Sequence, residues 1–205
     1  PRGILLTGVP GCGKSLGAKT LAATWGRPLL LLDPARIYRK YVGESEQRLE
    51  AALRTAEAMA PAVLWIDEIE KGFATGGDAD GGVSERLVGT FLRWMQDRPG
   101  GVFLVATAND VAALPPEFLR KGRFDEVFFV DLPGPAARRA VFEVQLSARR
   151  HDPGRFDLER LSAATEGFSG AEIEAVVVGA LYRAFATSAD LTTGDLLAEA
   201  ASGGP

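Results

Sequence analysis

Five short apolar runs alternate with longer segments of helical pattern in the first part of this 205-residue chain. The runs read GILLTG (3–8), PLLLLD (28–33), AVLWID (62–67), GVFLVATA (101–108) and EVFFVDL (126–132). Continuous apolar runs of this length are typical of buried parallel strands, and the segments between them supply the helical crossovers that parallel strands need. We therefore predict an α/β fold with a five-stranded parallel sheet covered on both faces by helices.

The strand pattern stops after the DLPGP segment at 131–135, and only helical patterns follow. They span residues 135–150, 157–164, 169–187 and, more weakly, 193–201. This change predicts two domains: an α/β domain over residues 1–133 and a small all-helical domain over residues 134–205.

The composition, with 46% hydrophobic and 24% charged residues, is that of a globular protein. We expect a cytoplasmic protein, because no apolar run approaches the ~20 residues of a membrane span and no secretory leader pattern is found. Cys12 and His151 are the single cysteine and histidine, which excludes an internal disulfide and a His/Cys zinc site. A net charge of −4 without a basic block gives no argument for nucleic-acid binding. The chain starts without methionine, so we expect a piece of a longer protein.

The segment GVPGCGKS (8–15) matches the pattern G-x-x-x-x-G-K-[ST] between a predicted strand and a predicted helix. Its glycines allow consecutive backbone N–H groups to face nucleotide phosphates, with Lys14 on the β and γ phosphates and the Ser15 hydroxyl on Mg²⁺. The alternative is an ordinary glycine turn before a helix, and Cys12 leaves open a redox role. The predicted nucleotide contacts are Val9, Pro10, Gly11, Cys12, Gly13, Lys14, Ser15 and Leu16.

The run VLWIDE (63–68) ends an apolar strand with two carboxylates. We predict that Asp67 binds Mg²⁺ through water and that Glu68 orients or deprotonates an attacking water. A second carboxylate at this place favours hydrolysis over phosphate transfer to another substrate. The alternative is a solvated acidic cluster that continues through Glu70, and Trp65 is most simply a core residue.

Four motifs in this order, GVPGCGKS, WIDEIE, ATAND and LRKGRFD, resemble those of the AAA ATPases, ring-forming members of the AAA+ superfamily. The resemblance covers essentially the whole chain. Together with KYVGESEQRL and ATEGFSGAEIE, the motifs look most like an uncharacterised AAA family of cyanobacteria and plastids with relatives in other bacteria.

This resemblance implies roles for three polar residues beyond the phosphate loop. Arg120 and Arg123 look like arginine fingers that reach the γ-phosphate bound by a neighbouring subunit, and Asn109 looks like sensor 1, which helps to place the attacking water. The chain departs from the family at Lys121, where proline is usual. The alternatives are a surface loop whose arginines pair with nearby carboxylates, and a simple turn residue at Asn109.

The segment GFSGAEIE (167–174) resembles the lid motif whose helix start packs near the adenine and ribose, which implicates Gly170 and Ala171. Capping of the helix by Ser169 explains the same residues equally well. Ala171 stands where many AAA+ groups place a sensor 2 arginine, and Gln145 replaces a histidine often found in the first lid helix.

Residues Tyr41, Val42 and Gly43 fit the aromatic–hydrophobic–glycine pore loop of AAA unfoldases, although local packing of Tyr41 between two helices is the alternative. The loop TGGDADGG (75–82) is a weaker candidate for a second pore loop.

The resemblance as a whole implies an enzyme that hydrolyses ATP with Mg²⁺ in a homo-oligomeric, hexameric ring and remodels a protein substrate. Two alternatives stay open: an ATP-driven assembly or switch factor without threading, and a nucleotide-binding interaction module that does not hydrolyse ATP.

Overall fold

The computed structural model describes residues 1–34, 37, 44–73, 83–98 and 100–203. These residues form two compact units, one made of Pro1–Gly8 and Lys14–Val130 and the other of Val9–Gly13 and Asp131–Pro205. No helix in the described ranges is long and apolar enough to cross a membrane. The predicted boundary between residues 133 and 134 stays a prediction.

The first unit contains a five-stranded parallel sheet in the order β2-β3-β4-β1-β5. Its strands are β1 (Gly3–Gly8), β2 (Leu29–Leu32), β3 (Ala62–Ile66), β4 (Val102–Ala108) and β5 (Glu126–Val130). Its helices are α1 (Lys14–Trp25), α2 (Glu44–Ala58), α3 (Ile69–Phe73) and α4 (Val83–Asp97), and a short 3₁₀ helix spans Pro116–Leu119. The predicted α/β fold with five parallel strands is confirmed.

Alternate residues of the central strands pack on opposite faces of this sheet, as the pleat of a strand requires. Leu64 and Ile66 of β3 belong to the larger core, which includes residues of α2, α3 and α4. Val63 and Trp65 belong to a smaller core with Ala18 of α1 and other residues. Trp65 is therefore a core residue, as predicted.

The two edge strands, β5 and β2, differ from the prediction that all five strands are buried. Phe129 of β5 is 68% exposed and Leu31 of β2 is 56% exposed. Their apolar sequences led to the prediction of buried strands, but an edge strand has a neighbour on one side only, so its composition does not fix its burial.

The described part of the second unit contains four α-helices around a core of its own, and a short 3₁₀ helix spans Pro153–Arg155. The α-helices are α5 (Pro135–Ala148), α6 (Leu158–Ala164), α7 (Gly170–Ala186) and α8 (Thr193–Ser202). Side-chain oxygens cap the last three of these helices, because Asp157, Ser169 and Thr192 accept hydrogen bonds from backbone N–H groups of the first turn. These caps explain why the helices begin where the sequence patterns predicted them to begin, to within about one residue.

Candidate active site

The carboxyl ends of β1, β4 and β3 lie side by side, because these strands are neighbours in a parallel sheet. The ends of β1 and β4 are paired directly, with Thr7 beside Ala108, and Ile66 of β3 lies beside Ala106 of β4. Residues that follow these strands in the sequence are therefore brought to one edge of the sheet. In open α/β sheets, this edge is where ligands bind.

Gly8 and Lys14 flank the glycine-rich loop and are joined by a hydrogen bond. Gly8 has a φ of 133°, and a Cβ at this position would lie 2.1 Å from the carbonyl oxygen of Val130, so only glycine fits. The Lys14 Nζ donates to the Gly8 carbonyl oxygen at 2.8 Å, and Lys14 is buried. The lysine is thus folded back toward the end of β1.

Asp67 accepts two hydroxyl hydrogen bonds from different elements. The Ser15 Oγ donates to the Asp67 Oδ1 at 2.8 Å, and the Thr107 Oγ1 donates to the same oxygen at 2.6 Å. Ser15 and Asp67, which were predicted from separate motifs, are therefore in direct contact. Hydroxyl and carboxylate oxygens are the ligands that Mg²⁺ prefers, usually with several waters retained.

Glu68 follows Asp67 with its backbone in the left-handed region, at a φ of 49°. Its N–H donates to the Thr107 Oγ1 at 2.9 Å, and Asn109 Nδ2 donates to the Glu68 Oε1 at 2.9 Å. The side chains of the predicted water-activating residue and of the predicted sensor 1 residue are therefore hydrogen-bonded to each other.

Lys71 forms an ion pair with Glu68, with 2.5 Å between its Nζ and the Glu68 Oε2. The hydrogen bond to Glu68 is the main reason why the pKa of the Lys71 ammonium lies above its usual value. Sequence reasoning did not assign a role to this lysine. The only signal in the sequence was its position three residues after Glu68, in the first turn of α3.

Glu70 is a second residue that sequence reasoning missed as part of the site. It is buried, and its Oε1 accepts a hydrogen bond from the Asn109 backbone N–H at 3.0 Å. Its other oxygen, Oε2, is buried without a hydrogen-bond partner among the described residues. The alternative of a solvated acidic cluster through Glu70 is wrong for Glu70 itself, because this side chain points into the protein and holds the backbone of Asn109.

The two candidate arginine fingers lie after the 3₁₀ helix, with Arg120 as its C-terminal cap residue. Arg120 is exposed, whereas the Arg123 Nη1 donates to the Leu92 carbonyl oxygen of α4 at 2.6 Å. Gly122, between them, has a φ of 92°. No hydrogen bond among the described residues links either arginine to Asp67 or Glu68, so their role in hydrolysis stays a prediction.

The loop residue Gly11 contacts the start of α7. The Ala171 N–H donates to the Gly11 carbonyl oxygen at 3.1 Å, and a Cβ on Gly11 would lie 2.9 Å from the Ser169 Oγ. Ser169 and Glu172 form a capping box, and the backbone N–H of Ser169 holds the pKa of the Glu172 carboxyl below its usual value. Capping by Ser169 therefore occurs, and contact of Gly170 and Ala171 with nucleotide stays a prediction.

The remaining predicted residues are placed as follows. Leu16 is exposed on α1, and Cys12 is half-buried with its Sγ 3.9 Å from the Pro10 carbonyl oxygen. Gln145 of α5 accepts hydrogen bonds from Arg149. The pore-loop residues Tyr41, Val42 and Gly43, and the loop at 75–82, lie outside the described residues.

A parallel sheet with a G-x-x-x-x-G-K-S loop after β1 and an Asp-Glu pair after β3 defines the P-loop nucleotide-binding fold. The chain belongs to the ATPase family associated with various cellular activities (AAA), whose model matches residues 4–132, and the model of the AAA+ lid domain matches residues 155–198. These matches confirm the AAA membership predicted from the motifs.

Curated relatives support the same assignment. The "Uncharacterized AAA domain-containing protein ycf46" of Guillardia theta is 46% identical over 200 residues, which are 96% of this chain and 39% of the relative. The "Cell division cycle protein 48 homolog" of Archaeoglobus fulgidus is 34% identical over 178 residues, 86% of this chain and 24% of the relative. The "ATPase family protein 2 homolog" of Caenorhabditis elegans is 33% identical over 195 residues, 94% of this chain and 27% of the relative. The chain thus spans about two fifths or less of the length of these relatives.

The Thr107 hydroxyl leads to a first prediction, because it joins the Asp67 carboxylate to the Glu68 N–H. Thr107→Val keeps the shape of the side chain but leaves both groups without this partner. We expect the free energy of unfolding to fall by about 1–3 kcal/mol, the usual cost of unsatisfied buried polar groups. Urea denaturation measures this, with Thr107→Ser as the control that keeps the hydroxyl. A valine variant as stable as the wild type would contradict the bridging role.

Proposed function

We propose that this chain is an ATP hydrolase that works at the subunit interfaces of a homo-oligomeric, hexameric ring and uses ATP to remodel or unfold a protein substrate. The observation that carries the proposal is the hydrogen-bonded set Ser15, Asp67, Thr107, Glu68 and Asn109. Membership of the AAA family supports both ATP hydrolysis and ring formation.

The residues present fit ATP with Mg²⁺. The Ser15 hydroxyl is an oxygen ligand of the kind Mg²⁺ prefers, and the Asp67 carboxylate is proposed to hold the ion through water; the Ser15 Oγ and the Asp67 Oδ1 lie 2.8 Å apart. Gly13 has a φ of 88°, and a Cβ there would meet nothing within 4 Å, which supports close approach of a ligand to this backbone. Bound Mg²⁺ would supply partial neutralisation of the phosphate charge, while Lys14 and the loop N–H groups would bind the phosphates.

Glu68 and Asn109 are proposed to act on the attacking water. Glu68 accepts a proton from the water as the water oxygen bonds the γ-phosphorus, and the bond from that phosphorus to the β,γ-bridging oxygen breaks to release ADP. The Asn109 amide holds the water and the carboxylate in a fixed relation. The 2.9 Å bond between the two side chains supports this pairing. Holding nucleophile and base in one orientation removes part of the entropic barrier of the reaction.

Arg120 and Arg123 are proposed to act on the nucleotide of a neighbouring subunit. A guanidinium stabilises the negative charge that develops on the transferred phosphoryl group, an effect of ~10³ to 10⁵ in rate in other nucleotide hydrolases. Arg120 is exposed and thus accessible to a second copy of the chain. Hydrolysis would then depend on assembly of the ring.

The protein substrate is proposed to be gripped by Tyr41, Val42 and Gly43. An aromatic residue contacts side chains of many kinds, and a glycine gives the loop freedom to bend. The competing function is an assembly or switch factor in which ATP controls binding of a partner without threading.

The chemistry is tested with Glu68→Gln. We expect this variant to bind ATP but to lose turnover by about 10² to 10⁴, because the carboxylate that accepts the proton is replaced by an amide. Phosphate release and binding of a fluorescent ATP analogue measure the two steps. Glu166→Gln, which changes an exposed carboxylate of the helical unit, serves as the matched control. Near-normal turnover in Glu68→Gln would refute the assignment of Glu68 as the residue that accepts the proton. A wild type that binds ATP but does not hydrolyse it would favour the nucleotide-binding interaction module.

Action of the fingers in trans is tested by mixing variants. Arg120→Ala subunits keep an intact nucleotide pocket, and Lys14→Ala subunits keep the intact arginine fingers Arg120 and Arg123. We expect each variant alone to be inactive and mixtures to recover part of the turnover, with a maximum at intermediate ratios. In a mixture, the intact nucleotide pocket of one subunit can lie beside the intact arginine fingers of another subunit. Arg120 is the better test residue, because Arg123 also bonds α4 and its removal disturbs that contact. Absence of recovery at every ratio would count against action in trans.

Threading is tested with Tyr41→Ala and its control Tyr41→Phe. We expect the alanine variant to keep ATP turnover within about twofold of the wild type, since the residue is assigned to substrate and not to nucleotide, but to lose unfolding of a green fluorescent protein with an unstructured tail. The phenylalanine variant should keep both activities. Unfolding that persists in Tyr41→Ala would exclude threading through this loop, and wild-type turnover without any unfolding would favour the switch factor.

A further inference from the structure

We propose, on the basis of the function proposed above, that Lys71 is a positioning residue that restrains the Glu68 carboxylate until nucleotide is bound. In this state the ammonium is bonded to one of the two Glu68 oxygens that can accept from the attacking water. Hydrolysis then requires Lys71 to release Glu68.

The first support is that both oxygens of Glu68 are engaged. The Oε1 accepts from Asn109, and the Oε2 lies 2.5 Å from the Lys71 Nζ. Both bonds are made to the same carboxylate, so both are charge-assisted, and the lysine is the partner that also carries a positive charge. A water placed for attack must also donate to this carboxylate, and the two existing bonds reduce the acceptor sites that remain for it.

The second support is that the ion pair between Lys71 and Glu68 can separate at low cost. The Lys71 side chain is 62% exposed, so it can move into solvent without leaving a cavity in the core. The Lys71 backbone N–H donates to the Glu68 carbonyl oxygen at 2.8 Å, which keeps the first turn of α3 in place when the side chain moves. Solvent-exposed ion pairs are weak, so binding of nucleotide and water is sufficient to displace this one.

The third support is the position of Glu68 itself. Its left-handed backbone and its N–H bond to Thr107 fix the start of its side chain independently of Lys71. Loss of the lysine should therefore free the carboxylate without displacing it from the site.

The kinetic test uses Lys71→Met, which keeps the length of the side chain and removes the charge. We expect kcat for ATP to rise about two- to fivefold, the range that a weak exposed ion pair allows, with KM and the melting temperature unchanged. Lys71→Arg should behave as the wild type, because it keeps a cation at this position. Lys19→Met, which makes the same change on the exposed side of α1, should leave kcat unchanged.

A second measurement does not depend on turnover. Acylation of Lys71 by an amine-reactive reagent, followed by mass spectrometry, reports how strongly the ammonium is engaged, with Lys19 of the same sample as the reference. We expect Lys71 to react more slowly in the nucleotide-free wild type than in nucleotide-free Glu68→Gln. Addition of Mg²⁺ with a non-hydrolysable ATP analogue should raise the wild-type labelling toward the level of that variant.

The outcomes separate this inference from the proposed function. Suppose that the wild type hydrolyses ATP, that Glu68→Gln abolishes this activity, and that Lys71→Met has an unchanged or lower kcat. These results would overturn the restraint by Lys71 and leave the ATPase assignment intact. Equal labelling of Lys71 in the wild type and in Glu68→Gln would also overturn it. A wild type without Glu68-dependent hydrolysis would instead refute the proposed function.

Discussion

The Asp67 carboxylate accepts hydrogen bonds from the hydroxyls of Ser15 and Thr107, and the rest of the site depends on this shared oxygen. It connects the start of α1, the end of β3 and the end of β4. Hydrogen bonds to an ionised carboxylate are short and strong, and Thr107 is buried, so water does not compete easily for them. A slip of one residue in the pairing of β3 with β4 would turn Thr107 to the other face of the sheet and break the connection.

The same threonine explains the backbone of Glu68. A non-glycine residue with a φ of 49° is strained by about 1–3 kcal/mol, and such strain persists only where the surroundings impose it. Here the Glu68 N–H donates to Thr107 and the Glu68 carbonyl oxygen accepts from Lys71, which fixes the peptide groups on either side. The sharp turn from β3 into α3 aims the carboxylate at Asn109. At this turn, the strained backbone therefore orients the Glu68 side chain.

The pattern of apolar runs predicted the sheet and the helices, and two separate motifs predicted Ser15 and Asp67 as residues of one Mg²⁺ site. Their direct hydrogen bond is possible because β1 and β3 run parallel and end at the same edge of the sheet. Thr107, Glu70 and Lys71 could not be found in this way. Their roles depend on strand register and on where the turn at Glu68 directs α3, and neither is encoded in residue type. The exposure of β5 was missed for a related reason, since apolar composition does not tell whether a strand is central or at an edge.

The charges of the site bear on the proposal that assembly controls hydrolysis. Asp67, Glu68 and Glu70 lie within four residues of the sequence, and a bound nucleoside triphosphate would add further negative charge to the candidate active site. Lys14 is hydrogen-bonded to the end of β1, and Lys71 is paired with Glu68. Charge of one sign in a confined site is costly unless it is compensated. Under the proposed function, Lys14, Mg²⁺ and the arginines of a neighbouring copy provide that compensation, so an isolated chain, without those arginines, would retain nucleotide more readily than it would cleave it.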